Sequence, residues 1–127
     1  MRKILALLIT LLILGCLQQS TKGSYKDISA EEAYELLKNS KVVVIDVRSQ
    51  EEFEKEHIDD AINLVLSPEF KEKIRHLDKN ATYLVYCNTG FKSRIAAEIM
   101  VREGFKNVYS LSGGIEAWKS KSFPVVK

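Results

Sequence analysis

Hydrophobic positions along the chain fall into two kinds of run. Short stretches of β-branched and aromatic residues alternate with longer ones in which apolar side chains return every three or four positions. Ser29-Ala30-Glu31-Glu32 has a capping-box pattern, and Ala33, Leu36 and Leu37 give the predicted helix an apolar stripe ending near Asn39. Val42 to Ile45 predicts a strand covered on both faces, with Asp46 and Arg48 at its exit. Ser49-Gln50-Glu51-Glu52 repeats the capping box and opens a short charged helix through about Glu56, with Phe53 inward. Ala61 to Leu66 predicts a further strand. Ser67 then caps a helix that has Pro68 in its first turn and Phe70, Ile74 and Leu77 on one face.

The second half repeats the alternation. Thr82 to Tyr86 predicts a buried strand running directly into Cys87, and Asn88 to Lys92 forms a polar loop around Gly90. Ser93 is expected to cap the helix that follows. Ile95/Ile99 and Ala96/Met100 keep helical spacing in it, and Gly104 ends it. Asn107 to Leu111 predicts the last strand, Gly113-Gly114 leads into a short helix carrying Trp118, and Pro124 closes the ordered part. Strands alternating with helices over short connections imply an α/β fold in three layers, a parallel-rich central sheet with helices on both faces. Ligand sites of such sheets lie beyond the carboxyl ends of the strands. Asp46 to Arg48, Cys87 to Lys92 and Ser112 to Gly114 all follow strand ends and are expected on one edge.

One apolar run does not belong to this pattern. From Ile4 to Leu14 every residue except Thr10 is apolar, after Arg2 and Lys3. A run of eleven residues fits the apolar region of a secretory signal and falls short of the roughly 20 that span a bilayer. The junction Ile13-Leu14-Gly15-Cys16 resembles a lipoprotein signal box, so residues 1–15 are expected to be a signal peptide. Cys16 becomes an acylated N-terminus, and residues 16–24 a flexible polar tether to a single domain at 25–127. The expected location is extracytoplasmic, held to the membrane by lipid.

Charge narrows the partners. Of 19 basic residues, Arg2 and Lys3 lie in the leader, leaving 17 against 17 acidic ones, a neutral body that argues against nucleic acid. With Cys16 consumed by lipid, Cys87 is the only thiol, which excludes a structural disulfide. A lone exported thiol is either reactive or buried and inert.

Four segments resemble the rhodanese family in order and spacing, covering nearly everything from Tyr25 to Val126. They are IDVRSQEEFEKEHIDDAIN at 45–63, LVYCNTGFKSR at 84–94, GFKNVYSLSGG at 104–114 and GGIEAW at 113–118. The resemblance, closest to single-domain exported thiosulfate sulfurtransferases, implies a rhodanese-like fold and a catalytic Cys87 cradled by its own loop, Asn88, Thr89, Gly90, Phe91, Lys92 and Ser93. Amides and a helix dipole aimed at one sulfur favour the thiolate. Sulfur then passes from a thiosulfate-like donor to a thiol or cyanide acceptor through a persulfide, with no metal or cofactor. Asp46 and Arg48 match the family's Asp-x-Arg element, whose implied role is to order the site. His57 falls where the family histidine is structural, and Glu56 and Asp60 stand where members often have glycine. Lys92 replaces a frequent arginine.

Two other readings stay open. A noncatalytic binding or sulfur- or redox-sensing domain at the membrane surface would use the same fold. Phosphatases and arsenate reductases of a related fold need Cys-x5-Arg, and here that position is Ser93, with Arg94 one residue later and rotated by about 100° on a helix.

Overall fold

The computed structural model describes residues 24–127. Five strands form one all-parallel sheet, β1 (Lys26–Ile28), β2 (Val43–Asp46), β3 (Ile62–Asn63), β4 (Thr82–Tyr86) and β5 (Asn107–Leu111), in the order β1-β5-β4-β2-β3. The helices are α1 (Ala30–Asn39), α2 (Gln50–Lys55), α3 (Phe70–Lys73) continued by a 3-10 turn (Ile74–His76), α4 (Phe91–Arg102) and α5 (Gly114–Ser120). None among the described residues is long and apolar enough to cross a membrane.

Strand alternation divides the core into two layers. Tyr83 and Val85 of β4 face one side with Ile45 and Val108, covered by Ala96, Ala97 and Met100 of α4 and by Phe70 and Ile74. Leu84 and Tyr86 face the other with Val44 and Leu111, covered by Ala30 and Ala33 of α1 and Ile115 and Trp118 of α5. Each fully buried large aliphatic side chain in these layers contributes roughly 1.5–3 kcal/mol. The three-layer α/β expectation therefore holds.

The local signals hold only in part. Ser29 and Glu32 form the full reciprocal capping box at 3.1 and 3.2 Å. Ser49 accepts from the Glu52 amide at 3.2 Å, and its hydroxyl donates to the Glu52 carboxylate at 3.2 Å. The hydrophobic pattern does not predict β1, because three residues pairing with β5 at the sheet edge carry no periodicity of their own. The strand expected at Ala61–Leu66 shortens to Ile62–Asn63, although the Leu64 and Leu66 amides still bond to Asp46 and Val47 carbonyls. Ser67 forms a turn ahead of the helix, its hydroxyl accepting from the Glu69 amide at 3.3 Å, and α3 starts at Phe70. Order continues past Pro124, whose carbonyl accepts from Trp118 Nε1 at 2.9 Å, and Val126 pairs antiparallel with His57. Asp60 holds the left-handed region at φ 63°, which an aspartate tolerates better than most residues.

Candidate active site

β4 delivers Cys87 to the carboxyl edge of the sheet at the bottom of a tight loop, where the residue is 2% exposed. Two backbone N–H groups donate to its Sγ, Gly90 at 3.1 Å and Ser93 at 3.3 Å. Gly90 turns the loop back at φ 102°, a conformation costly to other residues. Ser93, expected to cap the helix, does not; α4 begins two residues earlier, at Phe91, with Gly90 as its N-cap. Ser93 is instead fully buried in the first turn, where its hydroxyl donates to the Gly90 carbonyl at 3.1 Å and meets the Ser110 hydroxyl at 2.9 Å. Since the Ser93 proton goes to Gly90, Ser110 supplies the other.

The N-terminus of α5 closes the base of the loop. The Ile115 amide donates to the Cys87 carbonyl at 2.9 Å and the Glu116 amide to the Asn88 carbonyl at 3.2 Å. Gly114 makes this approach possible, because a Cβ there would stand 2.3 Å from the Asn88 oxygen.

On the opposite flank, Arg48 grips the fully buried Asp46 with Nε and Nη2 at 3.1 and 2.8 Å, and Nη2 also donates to the Glu56 carbonyl at 2.6 Å. Burial works against the guanidinium charge, but the bond and charge of Asp46 outweigh it and hold Arg48 above its usual range. Arg48 Nη1 reaches Asn88 Oδ1 at 3.4 Å, and Asn88 Nδ2 donates to Glu52 Oε2 at 2.6 Å. The Asn88 amide, then the Ser49 bonds and the Arg48 charge, hold the Glu52 carboxyl below its usual range despite desolvation. Tyr86 behind them is pushed up by burial and by Asp46.

A model of the rhodanese-like domain matches residues 29–121. This chain belongs to the rhodanese-like family. Its similar relatives include the thiosulfate sulfurtransferase GlpE of Coxiella burnetii, 46% identical over 76% of this chain and 89% of the relative. The protein of the same name from Pseudomonas putida is 38% identical over 77% and 88%. Among solved structures, a rhodanese-related protein from Thermoplasma volcanium superposes with a TM-score of 0.73 at 34% identity, covering 80% of this chain and 98% of that one.

Within this rhodanese-like domain the three strand-end segments do gather on one edge. Asp46 and Arg48 join the loop through Asn88, and the Gly113–Gly114 turn abuts Gly90 and Asn88. Thr89 and Lys92 are exposed, and Phe91 is 67% exposed. Arg94, exposed on α4, lies in a groove with Tyr25. His57 is engaged elsewhere, its Nδ1 on the Phe53 carbonyl at 2.8 Å and its ring stacked on Phe53 at 3.8 Å. Cys16 lies outside the described residues. Sequence reasoning missed Glu52 and Ser110. A serine on the core-facing side of β5, in register with Val108, was the available signal for the second; the first carries only a capping signal.

Proposed function

We propose that this rhodanese-like chain is a thiosulfate sulfurtransferase in which Cys87 carries sulfur as a persulfide. The observation that supports it best is the convergence of two amide hydrogens on the one thiol among the described residues. Amides fixed in this way solvate a charged sulfur without reorganising during the reaction. The names of the two relatives supply the donor.

In the first half-reaction the Cys87 thiolate attacks the outer sulfur of thiosulfate. The bond from that sulfur to the sulfonate breaks, and sulfite leaves with its electron pair. The persulfide left on Cys87 carries the negative charge on its terminal sulfur, within reach of the loop amides. A thiolate or cyanide then attacks that sulfur, forming an acceptor persulfide or thiocyanate and restoring the Cys87 thiolate. No second thiol stands by to resolve the persulfide within the described residues, so the acceptor comes from outside.

Incubating the protein with thiosulfate, removing small molecules and weighing it by mass spectrometry tests this reading. A gain of one sulfur atom, removed by cyanide and absent from Cys87→Ala, is expected; an unmodified wild-type chain would rule the reaction out.

We further propose that the protein works on the outer side of a membrane, attached through lipid on Cys16. The support is the apolar run Ile4 to Leu14 followed by Gly15-Cys16. Two acyl chains hold a protein to a bilayer durably where one does not.

A further inference from the structure

Large apolar side chains are exposed at three places among the described residues, and two of them are neighbours. Phe91 and Ile95 stand one turn apart on α4, 67% and 43% exposed. Together with Tyr25, Ile99, Arg94, Arg102 and Glu98 they line an open groove. The exposed face of α4 around it carries more basic than acidic side chains. Lys92, Arg94 and Arg102 lie on α4 against a single acid, Glu98, which Arg102 already holds at 3.0 Å. Lys92 and Arg94 have no ion-pair partner among the described residues.

We propose that this groove seats on an anionic lipid surface, with Phe91 and Ile95 entering the headgroup layer and Arg94, Arg102 and the neighbouring Lys92 facing lipid phosphates. The inference rests on the lipid attachment at Cys16 proposed above. Tyr25 is the residue that ties the two together, because it lines the groove and stands nine positions after Cys16. Nine residues span at most about 32 Å. A domain of about 100 residues is about 33 Å across, and the path around it to the opposite face is about 50 Å. The tether is therefore too short to set the opposite face on the bilayer, and it leaves the face that carries Tyr25 within reach. Aromatic and aliphatic side chains ringed by lysine and arginine suit that boundary, where apolar atoms enter the acyl edge and cations meet phosphate. Because Phe91 directly follows Gly90, docking would hold the sulfur loop at the membrane surface and present its persulfide to acceptors located there.

The test uses the full chain, expressed in a host that acylates lipoproteins and reconstituted in phosphatidylglycerol vesicles, with Phe91→Trp as reporter and the parent chain as the Trp118 background. Mass spectrometry of the N-terminal fragment reports acylation separately from docking. The expected result is an acylated chain whose introduced indole is quenched by bromine on the lipid chains and shielded from iodide in the water. Arg94→Gln and Arg102→Gln, and vesicles of phosphatidylcholine alone, should each weaken that quenching, the docked-to-undocked ratio falling about fivefold per cation removed. An acylated chain with the reporter indole open to iodide and untouched by bromolipid overturns the docking and leaves the anchor standing. An unacylated Cys16 overturns both. A reporter shielded from iodide without bromine quenching means that a protein surface covers the groove, which also overturns the proposal. Slower hydrogen exchange at the start of α4 on anionic vesicles provides a check that needs no substitution.

Discussion

The sulfur loop is held from two sides built on opposite physical terms. At its first residue, Asn88 is gripped by two charged groups, Glu52 and an Arg48 held by the buried Asp46. At its last, Ser93 is clamped by neutral hydroxyl and carbonyl groups with no exposure to water. Charge can reach further and bind harder, but it responds to pH and depends on every partner staying ionised. Neutral hydroxyls ignore pH, yet in the core they leave no water to replace a missing partner. The loop thus has one flank that conditions can loosen and another that only a change of sequence can.

The largest expected loss comes from the charged flank. Asp46→Ala strands a buried guanidinium, and urea unfolding should show the domain about 3–5 kcal/mol less stable. If the loss stays below about 1 kcal/mol, water or the Glu56 carbonyl suffices for Arg48 and the flank is weaker than its geometry implies.

Ser93→Ala removes the donor to the Gly90 carbonyl and the acceptor for Ser110. A stability loss of about 1–3 kcal/mol is expected, with slower persulfide formation because the Gly90 amide is no longer fixed against the sulfur. Ser110→Ala should cost less, since Ser93 keeps its bond to Gly90. If Ser110→Ala lowered persulfide formation as far as Ser93→Ala, the order of donation in the hydroxyl pair would be reversed.

The smallest effect is expected at Glu52 and separates the flanks by pH. Its carboxyl is held below the usual range, so the link to Asn88 stabilises the folded chain fully at neutral pH and is lost as pH falls through the depressed value. Glu52→Gln should change neutral stability by about 0.5 kcal/mol, because the group is partly exposed, and flatten the acid limb of the stability profile. Ser110→Ala should leave the shape of that limb unchanged. A Glu52→Gln profile identical in shape to wild type would show that the carboxylate contributes nothing to the charged flank.

Much of this was legible along the chain. Strands expected to end at Ile45, Tyr86 and Leu111, each followed by polar or glycine residues, foretold a parallel sheet with a site on its carboxyl edge, because short crossovers leave few other topologies. What stayed hidden was anything depending on a neighbour distant in sequence. β1 forms only because β5 offers it an edge, and the second carboxylate oxygen of Glu52 is free at its cap to meet an asparagine 36 residues away.

The residue types and their order determined the layers, the sulfur and the loop around it, since hydrophobic period and turn chemistry act over a few residues at a time. Which amides reach Cys87, which side chains hold those amides, and that Tyr25 shares a groove with Phe91 were decided only when helices and strands from distant parts of the chain packed together. Hydrogen bonds and close contacts of that kind depend on distances that the chain acquires only on folding.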